Sequence, residues 1–270
     1  MWNFRMTIFT FLLLFLVFNL VNFFVCPCNL GMVRLFCRHV SLFYISLFLL
    51  LFIVPVIFSF FPCSRYHYKE VICKGKNAEN CVSLTFDDGP DPQFTTRILE
   101  VLAKHQVKAT FFLIGKKIKN HEDLVCSIFA EGHLLGNHSF NHGNFWDFLP
   151  PVKMVKEILQ TEIAIQQITH KKVRYFRPPY GVINPMVSSA LKQINYKVIA
   201  WNRWSQDSIR NDPDKILNSL LYKLRAGDII LMHDTRQVTA EVLDKLIVSI
   251  YHLGFRIIPL DQLINIPAYE

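Results

Sequence analysis

Two adjacent carboxylates, Asp87 and Asp88, stand directly before Gly89-Pro90 at the end of a short apolar run. Strand side chains alternate between faces, but a strand terminus can splay two neighbours into one site. The plainer reading of such a pair is a turn or a helix N-cap. Further along, Asn137-His138-Ser139-Phe140-Asn141-His142 places two imidazoles four residues apart. That spacing predicts one face of a helical turn. Two imidazoles and a carboxylate make the three-ligand pattern of a catalytic zinc with a position left open for water. An isolated pair at this spacing arises easily in a chain with 10 His. His105, His121, His133, His170 and His252 have no such company and are expected at the surface or in packing.

Three more clusters carry useful chemistry. Arg177-Pro178-Pro179-Tyr180-Gly181 sets an Arg in a stiff turn, where it can hold a carboxylate by paired hydrogen bonds. Trp201 opens a polar run through Trp204, Ser205, Asp207 and Ser208. Leu231-Met232-His233-Asp234 follows an apolar stretch, and period-two alternation places Leu231 on the face of His233. A structural turn or a buried His explains each cluster taken alone. Their common position, at the ends of apolar runs, argues for one site.

The elements that position them alternate. Strands are predicted over 81–86, 107–114, 132–137, 173–176, 196–201, 229–232 and 255–260. Helices are predicted over 95–105, 121–130, 152–169, 185–194, 213–224 and 238–252. Asp212 and Pro213 suit a helix start, and Gly227 its end. Seven strands alternating with helices imply a parallel α/β arrangement, as a barrel or an open doubly wound sheet. Both place function at the carboxyl ends of the strands, where the clusters lie.

The front of the chain is different. Of 270 residues and 24 Phe, residues 1–64 hold 14 Phe, with Arg5, Arg34 and Arg38 and no Asp or Glu. Two long uncharged runs predict one or two transmembrane helices, at about 7–25 and 40–61. Pro55 would kink the second. A cleaved signal peptide fits poorly, because Cys26-Pro27-Cys28 is not a small-residue cleavage site. Arg34 and Arg38 favour an extracytoplasmic body, while Arg65, Lys69, Lys74 and Lys76 favour the opposite. Residues 65–79 read as a linker. The net charge of +8 comes without a dense basic run, so no nucleic-acid partner is expected. Seven Cys without metal-type spacing are expected mostly as free thiols, though Cys73 and Cys81 flank a loop and could pair.

TFDDGP at 85–90, HSFNH at 138–142, RPPYG at 177–181 and ILMHD at 230–234 stand in the order and spacing of a known family. Together they resemble the polysaccharide deacetylases, the NodB-homology group of carbohydrate esterase family 4. The resemblance implies a distorted (β/α)7 barrel over 80–265, behind the membrane segment. It also implies metal-dependent removal of N-acetyl groups from GlcNAc-type residues of a polysaccharide, peptidoglycan or other glycan. Carried over by motif, Asp88, His138 and His142 would hold Zn2+, or another divalent metal such as Co2+. Asp87 would be the base, oriented by Arg177, and the Tyr180 N–H would serve the oxyanion. His233, tuned by Asp207, would be the acid. Leu231 and Trp201 would line the acetyl pocket. One motif departs, because Trp204 and Ser208 replace an expected Asp and Trp, which alters one groove wall. The expected partners are an N-acetylated glycan and membrane lipid. Deformylation or deacylation of a lipid-linked sugar is one alternative. A non-catalytic carbohydrate-binding membrane protein is another.

Overall fold

The structure, a computed structural model, describes residues 31–76 and 79–270. Its centre is β2 (Cys81–Asp87), buried at every position between β3 (Thr110–Leu113) and β8 (Ile229–His233). Val82, Leu84 and Phe86 fill one face of this strand with apolar side chains, and on the other the buried hydroxyls of Ser83 and Thr85 donate to Ile258 O and Ile230 O. Outward from β3 lie β4 (Leu134–Asn137), β5 (Tyr175–Phe176), β6 (Lys197–Ile199) and the edge strand β1 (Val71–Ile72). Beyond β8 lies β7 (Arg203–Trp204), while β9 (Arg256–Ile257) pairs with the start of β2. Every ladder between these strands is parallel.

The sheet curls into a half-barrel. The chain leaving β6, the neighbour of edge strand β1, crosses to β7 at the other end of the strand order in three residues, 200–202. Ala200 N–H donates to Ile72 O at 2.8 Å, and Asn202 N–H donates to Ile229 O at 3.3 Å. Helices cover the outside with one apolar stripe each. In α3 (Phe94–Lys104), Ile98, Leu99 and Leu102 are the buried stripe. In α9 (Gln237–His252), Val242, Leu243, Leu246, Ile247 and Ile250 are.

All seven expected strands form, and all but β9, which pairs with the start of β2, end in register at one rim. Asp87 aligns with His233 on one side and Phe112 on the other, and Asn137 aligns with Phe176. The residues that follow these strands therefore emerge side by side. Two short strands escape the sequence pattern. β1 sits inside the stretch expected as linker, and β7 is two polar-flanked residues. The fold also runs past 265, since Leu135 N–H donates to Tyr269 Oη at 2.8 Å. The helix expected over 213–224 is α8 (Pro213–Leu221), with Asp212 as its side-chain cap. Gly227, expected as its end, instead bonds through its backbone to Gly75 and Cys81.

The front segment corrects the membrane expectation in part. The expected span at 7–25 lies outside the described residues. The expected span at 40–61 is divided among α1 (Gly31–Phe48), a π-helical turn (Leu49–Ile53) and α2 (Val54–Ser59). Pro55 explains the break. It lacks an N–H, and its ring crowds the carbonyl of Leu51, so the preceding turn widens. Among the described residues no helix is long and apolar enough to cross a membrane. The segment then docks on the α/β body. Ile183 N–H donates to Ser59 O at 2.9 Å, and Ser188 Oγ donates to His67 O at 2.6 Å. A disulfide joins Cys63 to Cys73, next to β1, where free thiols are expected, and the alternative pairing of Cys73 with Cys81 does not form. Cys81 is a buried free thiol and Cys126 an exposed one.

Candidate active site

Asp88 Oδ1 lies 3.6 Å from His138 Nε2 and 3.4 Å from His142 Nε2. One ligand atom from each of the three groups falls within 4.8 Å of the others. The histidines meet by a route different from the predicted helical turn. Residues 138–142 form an irregular loop, with positive φ at Ser139 and His142. Asn137 shapes it, accepting from Ser139 N–H at 3.0 Å and donating to Ile158 O at 2.8 Å. The short α4 (Gly115–Ile118) braces it, since the N–H groups of Gly115 and Lys116 donate to the carbonyls of Ser139 and Phe140. Helical spacing and this loop both bring i and i+4 together, so the pairing is legible in the sequence and the conformation is not.

His138 Nδ1 is 2.7 Å from Arg177 O, which fixes Nδ1 as the donor and leaves the Nε2 lone pair facing Asp88. Burial above all depresses both His138 and His142 to about 4, so each is neutral near pH 7. Neutral imidazoles and one carboxylate are the donor chemistry a divalent cation requires. The residues present fit such an ion.

Asp87 is buried behind this group. Burial pushes its carboxyl up, against the opposing charges of Arg177 and His233. Arg177 is fully buried, and its Nη1 donates to Asp87 Oδ1 at 2.7 Å and to Thr85 Oγ1 at 2.9 Å. Its Nε and Nη2 donate to Ile199 O and Ala200 O, and its guanidinium lies 4.1 Å from the Phe112 ring centroid. All three nitrogens of the fork are engaged, so the group can turn only by breaking several bonds at once. That holds the Asp87 carboxylate in one orientation.

Opposite stands His233. Its Nδ1 is 2.7 Å from Asp207 Oδ1, and its backbone N–H donates to Asp207 Oδ2 at 2.7 Å. Ser205 Oγ and Thr239 Oγ1 each donate to Asp207 at 2.6 Å. Burial resists the charge on His233, but Asp207, and then Asp87 and Asp88, outweigh it and push its pKa up to about 9.

Leu231 and Trp201 both line the cleft between these groups, as do Tyr180, Trp204, Ser208 and Arg236. Tyr180 has φ +59, and its ring centroid lies 4.7 Å from that of His142. The Gly181 and Val182 N–H groups close this turn, and that of Tyr180 takes no part. The structure therefore brings every sequence-predicted site residue to one cleft or directly behind it. Two supporting residues lie within the clusters already read, and two lie outside them. Thr85 and Ser205 stand two residues before Asp87 and Asp207, a period-two signal present in the sequence. Lys117, whose Nζ donates to Asp88 O at 2.7 Å, and Thr239 come from other elements and carry no local signal. Asp234 lies beneath the loop, bound to Thr95 Oγ1 at 2.6 Å. A Cβ on Gly89 would stand 2.1 Å from it, so only glycine fits there.

The chain resembles known proteins over this region. The polysaccharide deacetylase family profile matches residues 74–199. A peptidoglycan-N-acetylglucosamine deacetylase of Bacillus cereus is 32% identical over 198 residues, 70% of this chain and 90% of that one. A chitooligosaccharide deacetylase of Bradyrhizobium is 34% identical, over 67% of this chain and 90% of that one. A crystal structure of a peptidoglycan N-acetylglucosamine deacetylase superposes with TM-score 0.70 at 30% identity, covering 74% of this chain and 95% of that one. A Bacillus anthracis CE4 family pseudoenzyme also superposes, with TM-score 0.66 at 31% identity, covering 72% of this chain and 68% of that one. The fold is thus shared by active and inactive relatives, and the residues in the cleft carry the functional argument.

Proposed function

Because the chain belongs to the polysaccharide deacetylase family, we propose that it is a metal-dependent, membrane-anchored hydrolase of the N-acetyl amide of GlcNAc-type residues in a glycan. The observation that carries this reading is the convergence in one cleft of Asp88, His138 and His142 with Asp87 on one side and His233 on the other. A divalent cation such as Zn2+ or Co2+ on those three ligands would polarise the amide carbonyl and acidify a water.

The chain's own residues supply the rest. Asp87, held by Arg177, takes a proton from water as its oxygen adds to the carbonyl carbon. The Tyr180 N–H donates to the oxygen that becomes negative. His233, charged and oriented by Asp207, gives its proton to the nitrogen as the C–N bond breaks. Acetate and a free amine leave. Leu231 and Trp201 offer the methyl an apolar wall. Peptidoglycan and chitooligosaccharide are the substrate classes of the named relatives and the first to try. The uncharged run at 7–25, long enough to span a bilayer as a helix, supports the anchoring.

The test is acetate release from N-acetylated glycans by the full chain, with its metal content measured by elemental analysis. Acetate release that tracks zinc or cobalt content is expected. Release of formate only, or turnover by metal-free protein, would overturn the reading.

A further inference from the structure

The front segment reaches the mouth of the cleft. Phe60, Phe61 and Cys63 stand beside Tyr180, Trp201, Asn202 and Trp204, and together they enclose a second hollow. Tyr180, Trp201 and Trp204 line the catalytic cleft as well, so the two hollows share three walls. The segment is fixed there from several directions. Ser59 O accepts from Ile183 N–H, Cys63 is bonded to Cys73, and Ser188 Oγ donates to His67 O. Yet Phe60 and Phe61 remain 63% and 58% exposed. Adjacent apolar rings left open to water on an anchored stretch of backbone mark a binding surface more readily than a packing one.

The lining selects the ligand. Among the described residues no charged side chain lines this second hollow; of its polar side chains the Asn202 amide is bonded to Asp228 and Ile229, while the Tyr180 hydroxyl donates to Asn144 Oδ1 at 3.3 Å and keeps its oxygen as an acceptor. Aromatic faces with a few hydrogen-bonding groups suit a pyranose, whose C–H face stacks on a ring while its rim hydroxyls find polar partners. Trp204, which stands where the resemblance leads one to expect Asp, adds to this apolar wall.

We propose that the second hollow is a sugar subsite, holding the glycan residue next to the one deacetylated, with residues 60–63 as its outer wall. The proposal rests on the deacetylase reading and extends it. The segment before the catalytic fold then becomes part of the substrate groove.

The test compares N-acetylglucosamine, which fills the catalytic cleft alone, with its β-1,4-linked pentamer, using the full chain. Phe60→Ser with Phe61→Ser should raise KM for the pentamer about tenfold, with kcat and the monosaccharide's kinetics unchanged. Phe60→Tyr with Phe61→Tyr should restore the pentamer KM. Tryptophan fluorescence should report pentamer binding, weakened by the Ser pair, whether or not turnover occurs. Binding without acetate release would sink the deacetylase reading and spare the subsite. An unchanged pentamer KM and unchanged fluorescence titration would overturn the subsite. So would loss of cosedimentation with phosphatidylglycerol vesicles at unchanged pentamer KM, because the rings would then serve lipid.

Discussion

On one wall of the cleft His138 and His142 are depressed to about 4, and on the other His233 is pushed up to about 9. All three are largely buried, and burial alone would keep each neutral. The difference lies in the bond made by Nδ1 and by its surroundings. His138 Nδ1 meets a carbonyl, a neutral acceptor, at 2.7 Å. His233 Nδ1 meets the Asp207 carboxylate at the same distance, and Ser205 and Thr239 keep that carboxylate ionised and in place. One residue type thus yields a lone pair for a metal on one wall and a proton for a leaving group on the other.

The largest effects should come from breaking one wall while sparing the other. Asp87→Asn should lower kcat on the order of 10³-fold, with zinc still bound on elemental analysis. Loss of zinc in that variant would merge the two roles. His142→Ala should lose both zinc and activity, whereas His233→Ala should keep zinc and lose about 10²-fold in kcat. Equal zinc loss in both would erase the division between walls.

Subtler changes sharpen the comparison. His233 acts in its protonated form, and its raised pKa keeps that form dominant below about 9 in the metal-free site. A bound cation repels the imidazolium, so in the loaded enzyme the alkaline limb of kcat/KM should fall below that value. Asp207→Asn removes the stabilising charge and should move the limb lower still, by about a pH unit or more. An unmoved limb would remove His233 from the role of acid. The opposite wall predicts the opposite titration. After chelation, His138 and His142 have folded pKa values below the unfolded 6.5, so the unfolded chain binds more protons. Their contribution to stability is full above pH 6.5 and is lost as pH falls towards 4. A thermal melt of the chelated protein that stayed level across that window would contradict the neutral state. Smallest is Thr239→Val, which removes one bond to Asp207 at 2.6 Å. It should cost a few-fold in kcat at high pH, about 1 kcal/mol at most.

Membership of the two walls is legible in residue order, whereas their charge states are not. Asp87, Asp88, His138, Arg177 and His233 each follow or end a strand, and strand ends share a rim in a parallel sheet. That inference needs only periodicity and chain order. The loop at 138–142 departs from the helical turn its spacing predicts because one spacing is compatible with two backbones, and the braces at Gly115 and Asn137 are tertiary. Cys73 is bonded, and to a residue other than its neighbour Cys81, for a related reason. Proximity in sequence favours Cys81, while docking of α2 on the body delivers Cys63. The span expected at 40–61 follows from hydropathy, which does not register how Pro55 alters the turn before it.

The amino-acid sequence by itself determined the alternation of strands and helices, because the two periods are local properties of the backbone. It also determined which atoms can bind a metal or carry a proton, because those are properties of the side chains. Only the tertiary structure decided which imidazole is neutral and which is charged. It alone seated the aromatic end of the front segment beside the cleft. Both outcomes depend on burial and on groups far apart in the chain, such as Asp207 with Thr239 and Ser59 with Ile183.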